Sequence, residues 1–295
     1  MTFEKKVVII GAGPAGISCA IQLKRHGINP VIFEKEEPGG LLHNASVVEN
    51  YPGFPEGILA EDLITRLKEH LGNSGIETIC EEVVNVSYAK GAFTVSTLSS
   101  RTTAGTLVVA SGTRPVVPVT VPESTSETPC IYYGIKELKD SSGRNIAIIG
   151  AGDAAFDYAI NLSRKGNKVS VFNRGTNVRA LPVLCQRLKK DRDIDYNENH
   201  ELINIDVEHE NNRLELSFNV ENSTANYCFD CLIFATGREP ASGFIDPSVS
   251  GIKENLVSAG KLFFIGDVKG GRYRQATIAA GEGIKTAMVI FHESH

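Results

Sequence analysis

Two glycine-rich turns carry the chemistry that this sequence offers. The first lies in VVIIGAGPAG, Val7 to Gly16, where an apolar run breaks on Gly11, Gly13 and Gly16 and leads into a helical pattern from Ala15 to about His26. Each glycine has its own use. Gly11 permits a tight turn, Gly13 lets the backbone approach a pyrophosphate, and Gly16 lets the helix pack close to the strand. Pro14 lies in the turn just ahead of the helix that starts at Ala15, and the free N–H groups and positive dipole end of that helix favour phosphate. A second apolar run, Pro30 to Glu34, ends on an acid 18 residues past Gly16. A carboxylate at that interval meets the ribose hydroxyls of a dinucleotide.

The arrangement occurs again. In IAIIGAGDAA, Ile146 to Ala155, Gly150, Gly152 and Ala155 form a second turn that includes Asp153, and a helix runs from Ala154 to about Lys165. The strand Lys168–Phe172 comes next and ends on Asn173, again 18 residues past the last small residue of the turn. The copies differ at this discriminating position. Glu34 suits an unphosphorylated ribose, as in FAD or NAD. Asn173 is followed by Arg174 and Arg179, and arginines give charge-assisted bonds to a 2′-phosphate that an acid would repel. The first turn is therefore expected to hold FAD and the second NADPH, with NADH as the alternative donor.

The elements that must position these turns can be read around them. Residues 38–57 are dense in Gly, Pro and Asn, and a loop that long inside a compact domain is usually functional. A helix comes after it with Leu59, Leu63, Leu67 and Leu71 on one face, then a strand at Ile76–Cys80. A two-stranded meander, Val83–Ser87 and Phe93–Thr97, turns at Lys90-Gly91 and leads to the strand Leu107–Ala110. The second copy repeats the plan with Leu202–Glu208, Leu214–Val220 and an exit strand in LIFATGREP at 232–240. The chain beyond Pro240 is too short for a third copy. It holds LFFIGD at 262–267 and a final helix to Ile290, and a strand ending on Asp267 beside a helix N-terminus suits a second contact to the first nucleotide. The second copy is thus inserted in the first. The expected class is α/β, with two Rossmann-like, three-layer ββα nucleotide-binding domains. The FAD-binding domain covers 1–113 and 238–295, and the NAD(P)H-binding domain covers 114–237. Thr113–Pro122 and Arg238–Ala241 are the expected crossing strands.

Bulk properties narrow the remaining classes. The 295 residues suit two domains, and 42% apolar, 22% charged and a net charge of −5 leave no basic footprint for nucleic acid. The start, MTFEKK and a brief apolar strand, is read as neither signal peptide nor membrane span, and no apolar run reaches membrane length. Six cysteines without regular spacing fit a reduced, cytoplasmic protein. The seven histidines form no metal-ligand cluster and no G-x-S-x-G turn is present, so no metal is expected.

The stretches GAGPAG, GGLL, ENYPGFP, ASG and ATG, GAGDAA, IGD and YRQATIAAGEG run in order over nearly the whole chain. Together they resemble the thioredoxin reductase-like group of two-nucleotide flavoproteins. The resemblance implies that Gly39, Gly40, Leu41, Leu42 and Asn50 line the isoalloxazine and ribityl side of FAD. It implies that Asp267, beside Gly266, holds a ribityl hydroxyl, and that Arg274, Gln275 and Ala276 sit at the pyrimidine edge. Lys35, Val83, Ser111 and Gly112 complete the implied FAD set, Thr236 and Gly237 the NADPH set, and a homodimer is the implied assembly.

One departure redirects the chemistry. Thioredoxin reductases carry a redox-active CxxC before the second glycine turn. Counting back from Gly150 without gaps puts it at 133 and 136, where this chain has Tyr133 and Lys136, followed by Glu137. A dithiol relay needs two thiols within reach of each other. Cys228 and Cys231 have the spacing but lead into the exit strand, where residues three apart face opposite ways, so they read as structural. Cys130 reads first as a small buried residue and second as a reactive thiol. Ile131–Gly143 resembles the ferredoxin- or flavodoxin–NADP reductases of this fold, which lack those cysteines. The expectation is therefore an FAD-dependent NAD(P)H oxidoreductase passing electrons from NADPH to ferredoxin or flavodoxin, with Tyr133 near the ring. The alternatives are a disulfide or small-molecule reductase using Cys130 or a partner's thiols, and a non-catalytic FAD-binding regulatory protein. Arg187–Arg192 and Lys269–Arg274 offer basic docking faces for an acidic ferredoxin.

Overall fold

A computed structural model describes residues 6–118, 130–208, 213–221, 223–271 and 273–293, so the end of the first expected crossing segment, 119–122, lies outside the described residues. The short Val/Ile/Leu runs form buried parallel strands, as runs flanked by glycine turns and covered on both faces should. By contacts the chain divides into two compact units. The first is Met1–His43, Val47–Arg114 and Glu239–His295; the second is Asn44–Ser46 and Pro115–Arg238. The chain passes between them at Arg114/Pro115 and Arg238/Glu239, inside two short strands, Thr113–Pro115 and Arg238–Pro240, that pair with each other.

The sheet of the first unit has the order Leu262–Phe264, Thr106–Val109, Val7–Ile10, Val31–Glu34, Glu77–Cys80, all parallel. In the second unit the order is Ile131–Tyr132, Cys231–Phe234, Asn145–Ile149, Lys168–Phe172, Ile194–Asn197, again all parallel. The two sheets share one plan with one difference of connection. The outer strand beside the exit strand comes last in the chain in the first unit and first in the second.

Each unit has three layers. In the first, the helices Pro14–Arg25 and Ala276–Glu293 cover one face of the sheet through Ile17, Ala20, Leu23, Ala287 and Ile290, packed with Val7 and Ile9. A three-stranded meander, Asn85–Ala89, Ala92–Ser96 and Arg101–Ala104, covers the other face through Val86, Phe93 and Val95, packed with Val8, Ile10 and Leu107. Lys90 (φ 51°) and Gly91 (φ 84°) make its tight two-residue turn, both in the left-handed region that such hairpins require. The second unit repeats this. The helices Asp153–Arg164 and Pro182–Lys190 lie on one side and the meander Glu201–Glu208, Arg213–Val220 and Ser223–Phe229 on the other.

Several elements differ from the sequence reading. Each meander has a third strand. Arg101–Ala104 is polar and Ser223–Phe229 is largely exposed at the sheet edge, so neither shows the alternation that marks a half-buried strand. Leu59 is 55% exposed and precedes the helix Ala60–Asn73, whose buried residues are Ala60, Leu63, Ile64 and Leu71. Residues 38–57 contain a 3-10 turn, Gly40–Asn44, and the strand Val47–Val48, which pairs with Ile58–Leu59 just beyond them. The helices Pro182–Lys190, Pro247–Ser250 and Lys253–Ser258 were not legible as separate elements.

Candidate functional site

The first turn is built by backbone contacts that only glycine permits. Gly11 sits at φ 103°, its N–H donates to the Phe33 carbonyl (2.7 Å), and a Cβ there would lie 2.4 Å from the Ala110 carbonyl oxygen. A Cβ on Gly16 would lie 1.9 Å from the Gly11 oxygen, which seats the helix directly on the turn. Gly13 is different: its Cβ position is open, with the Gly40 Cα at 3.9 Å as its nearest neighbour. Space left in front of the middle glycine of such a turn is where a pyrophosphate fits. Glu34 closes the turn, its Oε2 accepting from Ala12 N (2.7 Å) and its Oε1 from Glu36 N (3.2 Å).

Several candidates for the flavin side meet around this turn. Gly39 N donates to the Ala12 carbonyl (2.9 Å), bringing the Gly39–Gly40 loop across it. Asn50 Nδ2 donates to Gln275 Oε1 (2.7 Å), joining two candidates 225 residues apart. Gly266, at φ 68°, has room for no side chain, because Ala15 Cβ would stand 2.9 Å away. A Cβ on Gly283 would meet the Ala15 carbonyl at 2.2 Å, so the final helix lies against the first. Ala276 begins that helix, with Gln275 and Arg274 just before it. A cavity of about 380 Å³ is lined by Asp267, Lys269, Tyr273, Ile278 and Glu282 among others.

Other candidates have different surroundings. Val83 is buried in the core between the meander and the sheet. Ser111 Oγ donates to the Ala241 carbonyl (2.6 Å), and Ala241 N donates to that of Gly112 (3.0 Å), so these two hold the returning chain. Lys35 is exposed beside Glu36 (3.5 Å); Leu41 is half-buried and Leu42 buried. Sequence reasoning missed Glu282. Its Oε2 accepts from Gly266 N (2.7 Å) and its Oε1 pairs with Lys269 (2.8 Å), bracing the Gly266-Asp267 turn. The acid in AAGEG was its only signal. This pair also offsets the charge of Lys269 in the expected docking face.

The second turn repeats the first. Gly150, at φ 139°, donates to the Phe172 carbonyl (2.9 Å), and its Cβ would lie 2.6 Å from the Ala235 oxygen. Gly152 faces open space, with nothing within 4 Å of its Cβ position. Ala154 is exposed at the helix start, Ala155 is buried beneath it, and Thr236 and Gly237 lie exposed past the exit strand. Arg174 and Arg179 are exposed. Asn173 is buried, its amide bonding Tyr196 Oη (2.9 Å), the Asn177 carbonyl (3.3 Å) and Gly175 N (3.3 Å). The residue read as facing the ribose therefore organises the loop that carries the arginines.

The thiols are dispersed, and no disulfide is present among the described residues. Cys228 is exposed one residue before the end of the meander edge strand, while Cys231 begins the buried parallel strand and accepts from Arg144 Nη1 (3.3 Å). The pair thus straddles a junction between two sheets. Cys130 is buried, and burial pushes its thiol up. It precedes the strand Ile131–Tyr132, at the N-terminal edge of the sheet, whereas the glycine turn opens at the C-terminal edge. Tyr133 is half-buried and stacks on Phe234 (centroids 5.8 Å, planes 23° apart), and burial raises its hydroxyl pKa. Among the described residues there is no group of metal-ligating side chains, and no helix is long and apolar enough to cross a membrane.

Two glycine cradles at the carboxyl edges of two parallel sheets, each open only at its middle glycine, define a protein that takes two dinucleotides. The chain belongs to the pyridine nucleotide-disulphide oxidoreductase family, whose model matches residues 5–283. It is similar to the thioredoxin reductase of Chlamydia trachomatis serovar D, 27% identical over 96% of both chains. It is also 29% identical to thioredoxin reductase 2 of Arabidopsis thaliana, over 99% of this chain and 82% of that one. Among solved structures, Lactococcus lactis thioredoxin reductase matches with a TM-score of 0.87, at 23% identity and 98% coverage of each chain. Bacillithiol disulfide reductase from Staphylococcus aureus matches with a TM-score of 0.78, at 18% identity over 98% of this chain and 99% of that one. The structural likeness establishes the fold. The chain is an NAD(P)H-dependent flavoprotein oxidoreductase of the thioredoxin reductase-like group, and proteins of that group bind FAD and NADPH.

Proposed function

We propose that this chain carries electrons from NADPH, held by the second unit, through FAD, held by the first, to an external acceptor without a dithiol relay of its own before the second turn. The observation that carries this is the pair of complete cradles, each blocked by backbone at its outer glycine and open at Gly13 or Gly152. Gly13 and the start of the helix Pro14–Arg25 would take the FAD pyrophosphate, Glu34 its ribose, and Asn50, Asp267 and Gln275 the ribityl chain and ring edge. Gly152 and Ala154 would take the NADPH pyrophosphate, with Arg174 and Arg179 at the 2′-phosphate. FAD, when bound, supplies hydride acceptance and onward release of the electrons. The chain's own contribution is alignment, exclusion of water, and the positive end of the final helix beside the ring edge.

A disulfide is the acceptor best supported, since the curated relatives are named for thioredoxin. Residues 131–144 contain no cysteine, and Cys130 lies buried at the sheet edge away from the turn. The exchanging thiols would then belong to the acceptor, a thioredoxin-like protein or a small disulfide. Ferredoxin or flavodoxin is the second reading, favoured by the aromatic Tyr133 where the family's cysteine would stand. The test is anaerobic mixing of the yellow protein with NADPH and NADH in turn, then with thioredoxin disulfide, a small disulfide, ferredoxin and flavodoxin. Bleaching by NADPH and turnover with a disulfide that survives Cys130→Ser are expected. A colourless protein that refuses FAD, or a bound flavin that NADPH leaves oxidised, overturns the proposal. Loss of disulfide turnover in Cys130→Ser moves the thiol role to Cys130.

A further inference from the structure

The rim of the second cradle is the loop 173–181, which carries Arg174 and Arg179 and is tied down at both ends. At its start the Asn173 amide is spent within the loop and on Tyr196, and Asn173 N donates to the Asn197 carbonyl (2.9 Å). At its far end Arg179 N donates to the Ala151 carbonyl (2.8 Å), inside the glycine turn, and Leu181 N donates to Asp153 Oδ1 (2.7 Å). Asp153 is the first residue of the turn's helix. An acid at the mouth of an anion cradle repels phosphate, so its presence calls for another use, and the bond to Leu181 supplies one.

We propose that Asp153 is a positioning residue for cofactor choice. By accepting the Leu181 N–H it holds the loop against the turn, so that the two exposed arginines stand where a 2′-phosphate arrives. This rests on the reading of the second cradle as the NADPH site. Selectivity then depends on a hydrogen bond to a residue that need not touch the phosphate. Leu181 offers a clean way to cut the same bond from the other side. Its φ of −55° and ψ of 142° are already those of proline, the residue is 52% exposed, and its carbonyl stays available to Leu184 N and Cys185 N.

The experiment measures binding of 2′,5′-ADP and of 5′-AMP to the full chain by calorimetry, alongside the ratio of KM for NADH and NADPH. Wild type should prefer 2′,5′-ADP. Asp153→Ala and Leu181→Pro should each cut that preference about fivefold, as loss of one ordinary hydrogen bond at an exposed loop implies. The double variant should be no worse than either single one, because both remove the same bond. Asp153→Asn keeps an Oδ1 acceptor and should keep the preference. The inference is overturned if Asp153→Ala and Leu181→Pro bind both ligands as wild type does. It is equally overturned if Asp153→Asn falls with Asp153→Ala, since charge would then be the cause, or if the two singles add. A wild type that binds the two ligands equally removes the NADPH reading itself, and that result needs no variant.

Discussion

Gly13→Ala separates the fold of the first cradle from its ligand. Gly13 has φ −77° and ψ −177°, extended backbone that alanine adopts freely. The added methyl would find its nearest protein atom, the Gly40 Cα, at 3.9 Å, an ordinary contact. Removing a glycine also narrows the unfolded ensemble, which stabilises by about 0.4–1 kcal/mol. The FAD-free protein should therefore melt at the wild-type temperature or about 2 °C above it. The methyl instead occupies the space a pyrophosphate needs, and it would push phosphate oxygens out of reach of the turn. Losing one charge-assisted bond costs about 1.5–3 kcal/mol, a factor of roughly 10–150 in Kd. Titrating stripped protein with FAD, monitored by flavin fluorescence, reads the affinity, and circular dichroism reads the melt. Gly11→Ala is the control: at φ 103° with a Cβ 2.4 Å from the Ala110 oxygen, it should fail in folding first. FAD affinity within twofold of wild type in Gly13→Ala, or a melt lowered by more than about 5 °C, would refute the reasoning. Gly152→Ala carries the same expectation for NADPH.

Thiol accessibility gives a second check. Cys19 is fully buried and its pKa is pushed up to about 12 by that burial, so iodoacetamide at pH 8 should label exposed Cys80 and Cys228 in the native protein and reach Cys19 and Cys231 only on unfolding; equal rates at Cys19 and Cys228 would contradict the packing. Acid supplies a third. Hydroxyls of Thr97, Ser99 and Ser100 hold Glu81 below the usual carboxylate range, and the Ser248 backbone N–H and hydroxyl do the same for Asp246. Because both pKa values are depressed in the folded state, their stabilisation is present above the ordinary carboxylate range and is lost as pH falls through the depressed values. Urea midpoints from pH 7 to about 3 should fall less steeply in Glu81→Gln and Asp246→Asn than in wild type, and parallel curves would remove these two groups as contributors.

The part of this protein that its sequence settled by itself is local. A glycine at φ 103° or 139° is demanded by the turn it makes, and a short apolar run between such turns has few alternatives to a buried parallel strand. Spacing of 18 residues from turn to strand end, twice over, was enough to expose the repeated α/β plan. The polar third strands of the meanders were illegible because an edge strand buries too little to leave a pattern. Leu59 shows the converse: a leucine in register with a buried face that ends up outside the helix.

Only the tertiary structure decided where polar side chains point. Asn50 meets Gln275, and Glu282 reaches Gly266 N, through contacts between segments that composition treats as unrelated. Asn173 stands at the residue equivalent to Glu34, yet Glu34 bends back to Ala12 N while Asn173 turns into its own loop. An amide both donates and accepts, so its own loop and Tyr196 on the neighbouring strand together satisfy it. A carboxylate only accepts, and the donors it finds are the backbone N–H groups of Ala12 in the glycine turn and of Glu36 just beyond it. That difference in hydrogen-bonding capacity, expressed only once the neighbours are in place, separates the two cradles.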